Sequence, residues 1–154
     1  MATPQVTPDT TLRIERRLAA PPAEVFKAWT TTDALTAWFA PKPEFTVEVH
    51  ELEPRLGGRF RIDMRDPGGV SHLVRGTYRE FSPPARLAFT WEWEGEGENP
   101  KKQGETLVIL DFHADGGGTR LVLTHERFPN STSRDEHGKG WNGCLDQLAS
   151  YLGR

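Results

Sequence analysis

A single cysteine, Cys144, stands in the 154 residues, so no intramolecular disulfide can form and a multi-cysteine metal site is excluded. Such sparing use of cysteine fits a reducing, cytoplasmic setting. Long apolar runs are missing as well. No segment approaches the ~20 residues that a membrane-spanning helix needs, so membrane insertion is not expected. The first residues, Met1 to Thr11, are rich in proline and threonine and lack the apolar stretch of a signal peptide, so they read as a loose tail. Asn130-Ser131-Thr132 has the pattern of a glycosylation acceptor, which without a secretory signal is a chance match. Charge of one sign is lacking too: 19 basic residues against 22 acidic ones leave a net charge of −3, with the signs intermixed. That excludes the basic stripe of a nucleic-acid binder. The five histidines (His50, His72, His113, His125 and His137) are dispersed, none four residues from another histidine or from the cysteine. Neither a metal nor another cofactor is expected on that spacing.

The sequence does supply aromatic rings and alternation. With 36% apolar and 10% aromatic residues, a chain of this length can bury one core, and residues 12–154 read as a single domain. Leu12, Ile14 and Leu18 alternate with charged residues, which marks a half-buried strand. Pro21-Pro22 ends it and opens a short helix carrying Val25, Phe26 and Trp29. Thr32-Asp33 can cap a second one, with Leu35, Trp38 and Phe39, closed by Pro41 and Pro43.

From Phe45 onward the period is two. Phe45, Val47 and Val49 form one alternating set; Phe60, Ile62 and Met64 form a second, opposite Arg59, Arg61 and Arg65. Asp66-Pro67-Gly68-Gly69 has hairpin-turn chemistry. Val70 to Glu80 follows, and Leu87, Phe89, Trp91 and Trp93 give the clearest alternation of all. Gly95 to Gly104 reads as an exposed loop. It lacks the strand-to-helix context of a phosphate loop. Thr106 to His113 and Leu121 to Leu123 are two more strands about the Asp115-Gly116-Gly117-Gly118 turn.

The last stretch, Ser133 to Gly153, reads as one long amphipathic helix. His137, Trp141, Cys144, Leu145, Leu148, Tyr151 and Leu152 share a stripe, and Lys139, Asn142, Asp146 and Ser150 lie opposite. Ser133 and Glu136 have the spacing of a capping box, and Gly153 is a natural stop. Gly138, Gly140 and Gly143 each cost ~1 kcal/mol against alanine inside a helix. On the helical wheel Gly138 and Gly140 flank the buried stripe, where a strand, the second short helix or a ligand can come close, and Gly143 points outward. The opposing expectation is a frayed first turn, with the helix beginning nearer Gly140. The order is β-α-α-β-β-β-β-β-β-α, an α+β chain whose short turns pair neighbouring strands antiparallel.

Several stretches in this order resemble a known family. They are Pro22 to Trp29, Ala37-Trp38-Phe39, Gly57-Gly58-Arg59-Phe60, Gly76 to Glu80, Pro84 to Trp91, Gly118 to His125, Gly140-Trp141 and Leu145 to Leu152. Together they resemble the SRPBCC/START-like helix-grip superfamily, and within it the AHSA-like group, named for an activator of the heat-shock-protein ATPase. The resemblance spans about Leu12 to Leu152. It implies a strongly bent antiparallel sheet of six to seven strands wrapped around a long C-terminal helix, with two short helices after the first strand.

In that fold helix and sheet enclose a cavity. The alternation puts Phe60, Ile62, Met64, Val74, Leu87, Phe89, Trp91 and Trp93 inward, facing Trp141, Cys144, Leu145 and Leu148. An apolar or amphipathic small molecule is the expected partner; the plainer alternative is a core filled by its own rings. His72, Tyr78 and His125 share the inward register. They can bind a ligand's polar group or exchange protons in a cyclase- or dehydratase-like enzyme, the second expectation. A lone strand histidine is more commonly a satisfied structural residue. His137 either reaches the pocket mouth or bonds a loop carbonyl at the helix start. Cys144, on the apolar stripe, is expected to be inert. Arg59, Arg61 and Arg65 read as a solvated outer face. A third expectation, a chaperone-binding module, has against it the lack of the additional N-terminal domain that such a co-chaperone uses. A homodimer through an exposed strand or the aromatic insertion is compatible with all three.

Overall fold

Hairpin follows hairpin along most of the chain. The computed structural model describes residues 10–94 and 104–153. The tail expected at Met1 to Thr11 and the loop expected at Gly95 to Gly104 therefore lie almost wholly outside the described residues. The strands are β1 (Thr11–Leu18), β2 (Thr46–Leu52), β3 (Arg59–Arg65), β4 (Ser71–Ser82), β5 (Arg86–Trp93), β6 (Thr106–Asp115) and β7 (Gly118–Glu126). All seven form one sheet in the order β1-β7-β6-β5-β4-β3-β2, antiparallel at every pairing. The turns are those that the residues favour. Gly69 (φ +88°) closes the β3–β4 hairpin and donates to the Asp66 carbonyl. Gly116 and Gly117, both at positive φ, close β6–β7.

The sheet bends because its pairing slips twice, once in β2 between Val49 and Glu51 and once in β4 between Tyr78 and Glu80. An extra residue in one strand sharpens the local twist and coils the sheet towards one face. On that concave face Phe60, Ile62, Met64, Val74, Leu87, Phe89, Val108, Leu110, Leu121 and Leu123 are all buried.

Two short helices, α1 (Pro22–Thr30) and α2 (Thr32–Trp38), link one sheet edge to the other. α2 follows Thr31 as its N-cap, without a side-chain cap bond, so the cap expected at Thr32-Asp33 is not used. Val25, Phe26, Trp29, Leu35, Trp38 and Phe39 are all buried. Trp38 Nε1–H donates to the Ala28 carbonyl at 2.9 Å, which ties the two helices together. Rather than sitting as a lid, these rings belong to the core: Trp29 lies 6.0 Å from Trp141, and Phe39 6.1 Å from Trp91, centroid to centroid.

The terminal helix, α3 (Ser131–Tyr151), starts two residues before the expected start. Its N-cap is Asn130, whose Oδ1 accepts the Ser133 N–H at 2.8 Å, so Ser133 is the capped residue and not the cap. The helix is continuous through Gly138, Gly140 and Gly143, which overturns the expectation of a frayed first turn. Leu145 and Leu148 are fully buried, each contributing about 1.5–3 kcal/mol. Tyr151, placed on the buried stripe by the helical wheel, is 46% exposed.

The three glycines within α3 differ in what surrounds them. A Cβ at Gly138 would sit 3.3 Å from Leu12 of β1, so this face does accept a strand. Gly143 does not point outward: a Cβ there would overlap the Pro41 carbonyl, so the chain after α2 crosses the helix at this point. At Gly140 a Cβ meets nothing.

Candidate functional site

The concave space is divided by its own aromatic rings. Toward one end Trp29, Leu35, Phe39, Phe60, Ile62, Tyr78 and Phe89 close around a gap of only about 10 Å³. At the other end, under the N-terminal half of α3, lies a cavity of about 660 Å³, within the size range of small-molecule sites. Its walls are Met64 from β3, Trp91 and Trp93 from β5, and His137, Gly140, Trp141 and Cys144 from α3. Pro41 and the segment Pro129, Asn130, Thr132, Ser133 and Glu136 form the rim.

The cavity exists at this end because the filling residues stop. The last wall residue on α3 is Cys144, and Leu145 and Leu148 beyond it are packed into the core. Gly140 contributes no side chain. Trp91 and Trp141 are 4.9 Å apart at 46°, and Trp91 and Trp93 are 5.4 Å apart at 89°, so indole planes meet the space at several angles.

Two histidines brace these indoles. Trp141 Nε1–H donates to His125 Nδ1 at 3.0 Å, which leaves the proton on Nε2. Nε2–H then donates to Thr106 Oγ1 at 2.6 Å, and the Thr106 hydroxyl donates to the Trp91 carbonyl at 3.0 Å. His125 is completely buried, and burial, helped by the neighbouring His137, holds its pKa well below the ordinary imidazole value. It stands as a neutral strut behind the wall. His137 takes the opposite tautomer: Trp93 Nε1–H donates to its Nε2 at 2.9 Å, and its Nδ1–H donates to the Ser133 carbonyl at 2.9 Å. The carbonyl it bonds belongs to Ser133, inside the first turn of α3 and not to a loop, and the residue lies on the cavity lining. Phe128 packs against both imidazoles, with centroids 4.2 and 4.8 Å away.

The residues expected to face inward thus fall into groups. Met64, Trp91, Trp93, His137, Trp141 and Cys144 line the cavity. Phe60, Ile62, Tyr78 and Phe89 surround the closed gap, and Val74, Leu87, Leu145 and Leu148 are core. His72 is bound to the β3–β4 turn, its Nε2 3.2 Å from Asp66 Oδ2, and its ring stacks on Phe45. The buried Tyr78 hydroxyl titrates well above the usual phenol range because it is desolvated. His72, Tyr78 and His125 therefore do not converge on one point of the cavity.

Cys144 is buried, and desolvation pushes its pKa up to about 12, so it is held as the thiol. Among the described residues no three His, Cys, Asp or Glu side chains are placed to hold a metal ion, and no helix is long and apolar enough to cross a membrane. On the convex face Arg61 makes a bidentate pair with Glu94 at 2.8 and 3.0 Å, Arg59 reaches Glu51 at 3.6 Å and Arg65 reaches Asp63 at 3.4 Å.

The rim residues Pro129, Asn130, Thr132, Ser133 and Glu136 were not among the expected site residues. Their one sequence signal was Pro129-Asn130, residue types that favour turns; just before them Arg127 stands at φ +76°, a conformation that arginine seldom adopts.

A bent seven-stranded sheet closed over a terminal helix, with an aromatic cavity between them, defines a helix-grip protein. The chain belongs to the family described as activator of Hsp90 ATPase homolog 1-like protein, whose model matches residues 19–153. Solved structures agree. A protein from Chromobacterium violaceum is 26% identical over 94% of this chain and 99% of its own, with a TM-score of 0.82. The AHSA1 protein from Silicibacter pomeroyi is 28% identical over 93% and 97%, with a TM-score of 0.79. An uncharacterised protein from Rhizobium leguminosarum is 30% identical over 94% of both chains, with a TM-score of 0.74. No protein of curated function matches.

Proposed function

We propose that this protein binds an apolar or amphipathic small molecule in the cavity between the sheet and the N-terminal half of α3. The observation that carries this reading is the unequal filling of the concave space: about 10 Å³ at one end and about 660 Å³ at the other. A concave space of this size, open to solvent on one side and walled by three indoles, has the character of a small-molecule site. Membership of a fold family does not settle function, and the reading rests on the cavity itself. Native mass spectrometry of freshly purified protein, followed by solvent extraction, tests it. An added mass that dissociates as an apolar compound is the expected result. Bare protein that also takes up nothing from a lipid and aromatic panel would contradict it.

A further inference from the structure

Of the three glycines inside α3, two have a packing reason to be there. A Cβ at Gly138 would press on Leu12 at 3.3 Å, and one at Gly143 would overlap the Pro41 carbonyl. At Gly140 a Cβ would meet no described atom, and the residue stands mid-helix with no turn to make. A glycine in that place lowers helix stability relative to alanine. Gly140 is only half-buried, and it lies on the lining of the cavity of about 660 Å³. Close approach of a ligand to the backbone is one of the uses to which glycine is suited.

The residues around Gly140 show what its missing side chain leaves open. On either side of it, α3 reaches across to β5. Three residues before, His137 accepts the Trp93 indole N–H at 2.9 Å. At the next residue, Trp141 packs on Trp91 with ring centroids 4.9 Å apart. Between these two bridges the helix offers a glycine, and at i+4 on the same face it offers the short Cys144, which also lines the cavity. Gly140 and Cys144 together form the part of the helical wall with the least side chain. A ring entering between the bridges would rest on the α3 backbone with indoles beside it.

We infer that Gly140 is the specificity-determining residue of this cavity: the apolar body of the ligand packs directly against the α3 backbone there, and the size of the side chain at that position sets the widest ring system admitted. This rests on the reading of the cavity as a ligand site. A one-ring and a two-ring probe of the same chemistry, ethylbenzene and 2-ethylnaphthalene, separate the two claims. Each is titrated by calorimetry into the whole native protein and into Gly140→Leu. Intermolecular nuclear Overhauser contacts are then measured between the 2-ethylnaphthalene ring protons and the native protein.

Gly140→Leu is expected to bind 2-ethylnaphthalene at least about tenfold more weakly than the native protein does, and ethylbenzene within about threefold of it. In the native protein the naphthalene ring protons should contact the Gly140 α-protons. Should the variant not fold, or ethylbenzene bind too weakly to titrate, those contacts alone decide. An equal change for the two probes, or ring contacts to Trp93 and Met64 with none to Gly140, would overturn the inference and leave the cavity reading standing. Binding of neither probe to the native protein, or ring contacts confined to residues outside the cavity, would overturn both.

Discussion

His125 shows how a buried titratable residue can serve structure alone. Both of its ring nitrogens are used, one accepting from Trp141 and one donating to Thr106, so a second ring proton would displace the Trp141 donor. Its native pKa lies well below the ~6.5 of an unfolded imidazole, from burial first and the nearby His137 second. Between those two values the unfolded chain binds more protons than the native one, so stability rises with pH there. The contribution is complete above about pH 7 and is lost as pH falls through 6.5 towards the native pKa, by at most ~1.4 kcal/mol per pH unit. Glu94, held low by Arg61, and Asp66, held low by the Val70 amide and His72, act in a lower window, below the usual carboxylate values. Urea unfolding at pH 7.5, 6.5 and 5.5 should show a falling midpoint, and His125→Gln should flatten the profile. Cys144 gives a second check at this scale. With its pKa pushed up to about 12, it should react with a disulfide reagent at pH 8 far more slowly than an ordinary thiol, even where it borders the cavity. Labelling of the native protein as fast as a free thiol would contradict that raised pKa.

At the scale of the element, α3 is two half-helices with different tasks. From Leu145 onward it is anchored by side chains that make up the core, and up to Cys144 it is a cavity wall. Its glycines separate along the same line. Gly143→Ala would drive a methyl group into the Pro41 carbonyl and should destabilise the protein. Gly140→Ala meets nothing and should stabilise it by up to ~1 kcal/mol, the helix-propensity gain. Thermal unfolding of the two variants should therefore shift in opposite directions. Much of this element was legible in the sequence. The 3.6-residue stripe from His137 to Leu148 is an intrinsic pattern, and every member of it is buried. What escaped was whatever depends on other parts of the chain. Asn130 was read as part of a chance glycosylation pattern and is the N-cap, because the cap is set by where the chain turns after β7. Gly143 was assigned to the outer face because no helical wheel shows that Pro41 passes over it.

For the whole molecule, the strand pattern was open to direct reading, since alternation of the Phe60-Ile62-Met64 and Leu87-Phe89-Trp91 kind repeats on each hairpin. The division of the interior was not. Nothing in the period of β3 distinguishes Phe60, which packs on Phe89 and Tyr78, from Met64, four residues on, which borders open space. That difference is set by α1 and α2, whose tryptophans and Phe39 fill one end of the sheet and leave the other to α3. The aromatic insertion thus acts as a plug, and its position locates the cavity.

The central claim is that the unfilled end binds a small apolar molecule, and one titration tests it most directly. Gly140 borders the cavity with room for a side chain, so Gly140→Phe should fill the space from the helix side without disturbing the core. Calorimetric titration of 2-ethylnaphthalene should show saturable one-to-one binding to the native protein, weakened at least about tenfold in a Gly140→Phe variant with unchanged circular dichroism. Equal binding to both proteins, or none to the native one, would contradict the account.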